Sequence, residues 1–147
     1  MANVYSHYPY DAALLLKSAA LVGASADGSL IVNLGKGIVD ADLVIDVTAT
    51  EIDTTDESYT VIIEGSPDAT FGTAGNIVAL SRLVLGHASA AAMAPQGLTS
   101  VVGRYVLPFR NEQVGTIYPY VRIRTVVAGT IGSGGINYLA FIAPDLD

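Results

Sequence analysis

Catalysis in this chain would have to begin from very few groups. There are two histidines, His7 and His87, and no cysteine. Neither histidine stands in a motif that would join it to a nucleophile and an orienting acid, so no triad is legible. A thiolate zinc site and a cysteine nucleophile are excluded outright. Asp40, Asp42 and Asp46, in "DADLVID", fall at even spacing on one side of a strand, and three carboxylates so placed could offer oxygen ligands to calcium. The loop lacks the DxDxDG pattern of an EF-hand, and solvated strand-end acids are the simpler reading. "DTTDE" (53–57) reads as a turn with Asx-type hydrogen bonds. "GKG" and "GSGG" lack the lysine and hydroxyl ending of a phosphate loop. These residues predict no catalytic residue, no metal and no cofactor.

Arginine gives the one concentrated signal. "GRYVLPFRNEQVGTIYPYVRIR" (103–124) contains four of the five arginines of the chain. Tyr105, Leu107, Phe109, Ile117, Pro119, Val121 and Ile123 occupy odd positions, whereas Arg104, Arg110, Tyr118, Tyr120, Arg122 and Arg124 occupy even ones. Two strands joined by "NEQVGT" and paired odd with odd would form a hairpin with one core face and one arginine–tyrosine face. A slip of one residue would bury guanidiniums, which specifies the register. Pro108 and Pro119 predict edge positions or bulges, because proline cannot donate to a ladder. Two readings of the polar face stand side by side. In one, the arginines pair with the acids of residues 40–57 and with water, each surface pair contributing about 0–1 kcal/mol. In the other, Arg104, Arg110, Tyr118, Tyr120, Arg122 and Arg124 form a partner-binding surface, since Arg and Tyr are typical anchors of interfaces.

Composition supports a covered surface. Only 14% of the 147 residues are charged and 51% are hydrophobic, with a mean hydropathy of +0.48. Soluble domains average about 25% charged residues. The longest uncharged windows, 83–103 and 125–144, are broken by polar residues, Gly or Pro and fall short of a spanning helix. "DAALLLKSAALVGASA" resembles a leader, but no Lys or Arg precedes it, Asp11 opens it and Lys17 interrupts it, so no cleaved signal is expected. Burial in an assembly is the better account. The net charge of −7 argues against a nucleic-acid partner. The bases lie mainly in the second half, which leaves room for a local cationic face.

The elements that must position these residues are strands. "DLVIDVTATEI" (42–52) puts Leu43, Ile45, Val47 and Ala49 on one side, and "ESYTVIIEG" (57–65) does the same with Tyr59, Val61 and Ile63. "INYLAFIA" (136–143) is a further strand. "NIVALSRLVL" (76–85) has less distinct sides, as if covered on both faces. "HASAAAMAPQGLTS" (87–100) reads as a long loop with one helical turn at "ASAAAM", and residues 1–12 read as an extended arm. Turn residues recur at short intervals. The pattern predicts a single all-β domain over 1–147, a jelly-roll-like antiparallel β-sandwich of about eight strands.

"DLVIDVTATEID", "DESYTVIIEGSPDATF", "GRYVLPFRNEQVGTIYPYVRIRTVVAGT" and "GINYLAFIA" resemble the capsid cement, or decoration, proteins of certain tailed bacteriophages, of the podophage jelly-roll type. The resemblance spans roughly residues 28–143. It implies a structural protein without catalytic residues, placed on the outer surface of the virion capsid after assembly in the host cytoplasm. The implied partners are the major capsid protein of the same phage and further copies of the chain, as a homodimer ahead of a homotrimer, with neither nucleic acid nor membrane. A carbohydrate-binding jelly-roll module of a virion or secreted protein is the alternative, with Tyr118, Tyr120 and the arginines as a sugar platform. An enzyme on a β-sandwich ranks last. On the hairpin reading, Arg122→Ala combined with Arg124→Ala should weaken binding and leave the fold intact.

Overall fold

A computed structural model describes residues 11–94, 97–100 and 102–144. His7 and the arm up to residue 10 lie outside the described residues. At the arm's predicted end, Asp11 caps a short 3-10 turn, Ala12–Leu14, by accepting the Ala13 N–H at 2.9 Å.

The chain is an antiparallel β-sandwich. Its strands are β1 (Leu15–Val22), β2 (Ala26–Asp27), β3 (Val32–Asn33), β4 (Asp40–Thr50), β5 (Ser58–Ser66), β6 (Val78–Gly86), β7 (Gly103–Arg110), β8 (Glu112–Gln113), β9 (Thr116–Ile117), β10 (Tyr120–Ala128) and β11 (Ile136–Pro144). One sheet has the order β1-β11-β4-β7. The other has β2-β10-β5-β6, with β3 also on β10. After β1 the chain passes to the second sheet, returns for β4, crosses for β5 and β6, returns for β7, crosses again for β10 and comes back to the first sheet for β11. Every long strand therefore pairs with strands distant in sequence, except β5 with β6.

The period-two reading places the core correctly in most strands. Leu43, Ile45 and Val47 of β4 meet Tyr59, Val61 and Ile63 of β5 and Val121 and Ile123 of β10, with Ile136, Tyr138, Ala140 and Ile142 of β11 beside them. The middle of the first sheet is buried on its outer side too. Val44, Phe141 and Ala143 form a second apolar cluster there, with Leu15 and Leu139 packed against it. Residues 42–52 are thus not simply half-buried.

Strand β6 corrects the sequence reading of residues 76–85. Its mixed sides arise from a bulge rather than from cover on both faces. Ile63 pairs with Ser81 but Glu64 pairs with Ala79, so Leu80 is an extra residue in the ladder. The bulge reverses the phase, so that Leu80, Leu83 and Leu85 all reach the core. Lys17 has a similar task in β1, whose pairing with β11 shifts on both sides of it. Its Nζ donates to the carbonyls of Ser18, Ala20 and Tyr138, at 3.1, 2.9 and 2.8 Å, and so satisfies backbone acceptors that the irregular ladder leaves open.

Two buried tyrosines tie the core together. The Tyr138 hydroxyl bonds to the Thr125 hydroxyl, joining the two sheets. The Tyr59 hydroxyl donates to the Glu51 carbonyl at 2.7 Å. Burial pushes both phenols up to about 12, helped at Tyr59 by the nearby carboxylates of Glu51 and Glu57. A raised folded-state value means that the stabilisation is complete below the ordinary tyrosine pKa of about 10 and is lost as pH rises through about 12. Alkaline titration should therefore show two phenols ionising late and together with unfolding. Full titration near pH 10 with the tertiary circular dichroism unchanged would contradict this packing.

Candidate functional site: arginines on two outer faces

The structure corrects the arginine hairpin. Strand β7 pairs with β4 in the first sheet, and β10 pairs with β5 in the second. "NEQVGT" forms only the short β8–β9 hairpin. Val114 and Gly115 both have positive φ, 50° and 82°, as the tight two-residue turn requires. Asn111 anchors this crossover. It is fully buried, its Oδ1 accepts the Val39 N–H at 2.7 Å, and its Nδ2 donates to the Gly37 carbonyl at 3.1 Å. The predicted odd–even alternation survives, with Phe109, Val121 and Ile123 in the core. The single arginine–tyrosine face does not. Arg104 and Arg110 lie on the outside of one sheet, Arg122, Arg124 and Tyr120 belong to the other, and Tyr118 sits in the connection between β9 and β10. Pro108 is on the edge strand β7, as expected, and Pro119 immediately precedes β10.

Each of the four arginines meets a carboxylate. Arg104 is opposite Asp46 in the ladder and binds it in a fork, at 2.6 and 2.8 Å. Arg110 is opposite Asp40 and does likewise, at 2.8 and 2.9 Å. The Arg110 guanidinium holds the Asp40 carboxyl below the ordinary aspartate value. These are the acids of residues 40–57 that the ion-pair reading anticipated. The other two arginines find different partners. Arg122 binds Glu64 at 2.9 Å and approaches Asp27 at 3.4 Å, and Arg124 binds Asp27 at 2.7 Å. Arg122 also lies over the Phe71 ring, 4.4 Å from its centre.

The sequence reading missed Arg82, the fifth arginine. It is exposed on β6, opposite Ile62, which is itself opposite Arg124. Among the described residues Arg82 has no ion pair. A cross-strand row of Arg82, Ile62 and Arg124 therefore presents one uncommitted guanidinium beside a partly buried isoleucine. The signal was a lone cation in an otherwise apolar strand, but the bulge at Leu80 obscured which face it took.

The other chemical candidates lie apart from this row. His87 accepts the Ser89 N–H on its Nδ1 at 3.1 Å, a local loop bond. Asp40 and Asp46 are engaged by arginine. No three His, Cys, Asp or Glu side chains among the described residues form a group that could hold a metal ion. No helix among those residues is long and apolar enough to cross a membrane.

The fold and its faces define the class of the protein as an antiparallel β-sandwich with basic residues on both outer faces. No family model matches the chain, and no curated protein matches it either.

Proposed function

We propose that the chain is a structural cement protein that binds the outside of an icosahedral phage head and staples neighbouring capsomers. The observation that carries this reading is the row Arg82, Ile62 and Arg124, an anchor-type cluster whose Arg82 has no ion pair among the described residues, in a chain only 14% charged. The strand orders β1-β11-β4-β7 and β2-β10-β5-β6 support reading the sandwich as a jelly roll, eight strand positions wound between two sheets. Stapling requires only that the protein bind the expanded lattice better than the immature one, and many modest contacts then add through multivalency. Self-association into a dimer would cover further surface.

The test is co-sedimentation of the purified chain with expanded heads of the phage that encodes it. Wild type should pellet with heads. Arg82→Glu should bind at least tenfold more weakly with an unchanged melting temperature. Failure of wild type to pellet would remove the cement reading. Normal binding by Arg82→Glu would remove this face as the contact.

A further inference from the structure

The outer side of the first sheet buries side chains that its own ladder cannot cover. Val44 and Ala143 are 0% exposed there, and Phe141 is 2% exposed. Side chains on one face of a sheet stand side by side, so they screen one another's flanks and leave their tips open. Phe141 lies opposite Val44 on β4 and opposite Leu15 on β1, with Ala143 two residues along its own strand. A phenylalanine reaches further from the sheet than any of these three. Its buried ring requires a layer from outside.

The described residues supply only part of that layer. Arg104 brings its guanidinium carbon to 5.8 Å from the centre of the Phe141 ring, but it is forked to Asp46. Asp46 lies opposite Leu139, whereas Ala143 lies opposite Asp42, on the far side of Phe141. Arg104 therefore does not screen Ala143. Other described elements are engaged elsewhere. The second sheet is on the inner side. The β8–β9 hairpin reaches β6 through Gln113, which donates to the Ala79 carbonyl at 2.8 Å, and the 3-10 turn Ala91–Met93 packs on β5 and β6. The cover also has a limit. Val106, opposite Val44 on β7, is 39% exposed. The layer thus lies over β1, β11 and β4 and stops short of β7.

Chain length identifies its source. Beyond the described residues the sequence offers 1–10, 95–96, 101 and 145–147. The pair 95–96 belongs to the connection whose turn packs on the second sheet, 101 is a single residue, and 145–147 are too few to reach back from Pro144 over Phe141 and Leu15. Ten residues can span up to about 33 Å, against about 10 Å from β1 across β11 to β4. Residues 1–10 join the described chain at Asp11, just before Leu15. Their sequence, "MANVYSHYPY", holds three tyrosines and no Asp, Glu, Lys or Arg. Tyrosine suits such a layer, because its ring covers apolar area while its hydroxyl stays in water.

We propose that the outer face of the first sheet is the docking surface for the chain's own residues 1–10, whose tyrosines close over Phe141, Val44 and Ala143. The proposal is independent of the cement reading. It concerns the sheet that does not carry Arg82, and it is tested on the free chain.

The chain has no cysteine, so a nitroxide spin label can be placed at one site, Ser6→Cys, in full-length isotope-labelled protein. The amide signals of Val44 and Phe141 should lose most of their intensity relative to the reduced label, while that of Arg82 keeps its own. Adding Tyr5→Ser, Tyr8→Ser and Tyr10→Ser to the labelled chain should restore both signals. Ala2→Cys serves as the label site if Ser6→Cys lowers the melting temperature. Broadening confined to the residues around Leu15, equal broadening of Arg82, or undiminished broadening in the tyrosine variant would each overturn the proposal. So would broadening of isotope-labelled wild type mixed with spin-labelled chain that carries no isotope, because a second copy would then supply the cover.

Discussion

Arg122→Ala should destabilise the protein by about 3 kcal/mol, the low end for breaking a buried ion pair. The side chains of Arg122 and Glu64 are only 14% and 12% exposed. Removing the guanidinium strands a nearly buried carboxylate and also uncovers Phe71. Arg104→Ala and Arg110→Ala should cost no more than about 1 kcal/mol each, because those side chains are 45% and 52% exposed and their forks compete with water. Urea denaturation of the three variants reads the difference directly. Equal costs would mean that the Arg122–Glu64 pair is as solvated as the surface pairs. Arg122→Lys should recover only part of the loss, since an ammonium cannot serve Glu64 and Asp27 in one plane. A consequence concerns the double variant Arg122→Ala with Arg124→Ala. It removes a structural pair, so a loss of binding in it would not isolate a contact. Arg82 is the cleaner probe.

Gly135→Ala should cost about 3 kcal/mol or more. The residue closes the "GSGG" turn into β11 with φ +127°, and a Cβ there would sit 2.2 Å from the Val22 carbonyl oxygen and 2.9 Å from the Gly23 Cα. Both neighbours are backbone at the end of β1, and β1 is held in its ladder with β11. Left-handed strain and a clash that neither strand can relieve therefore add. Gly115→Ala provides the contrast. It too has positive φ, +82°, but nothing lies within 4 Å, so it should cost only about 1 kcal/mol of backbone strain. Thermal melts of the two variants separate conformational need from close approach. Similar shifts would show that strand β1 yields to a methyl group.

Much of this difference between glycines could not be read from the chain. "GSGG" and "VG" both announce turns, but only the docking of β1 against β11 closes the space around one of them. The alternation of residues 42–52, 57–65 and 136–143 was legible because each strand lines a buried core, and burial acts on every second side chain. Residues 76–85 were misread because a single extra residue, Leu80, shifts the phase halfway along.

The sequence by itself determined the class of fold and which side of most strands turns inward, since both follow from local hydrophobic period. Tertiary structure decided the pairing. Strands β7 and β10 share an odd-numbered apolar phase, which is equally compatible with lying side by side in one sheet or facing each other across a sandwich. Any two strands that line a common core must show that phase, so the pattern cannot distinguish the cases. Acids remote in sequence meet the arginines in the pairing that results. Asp40 and Asp46 on β4 receive the arginines of β7, Glu64 on β5 and Asp27 on β2 receive those of β10, and Arg82 has no ion pair among the described residues.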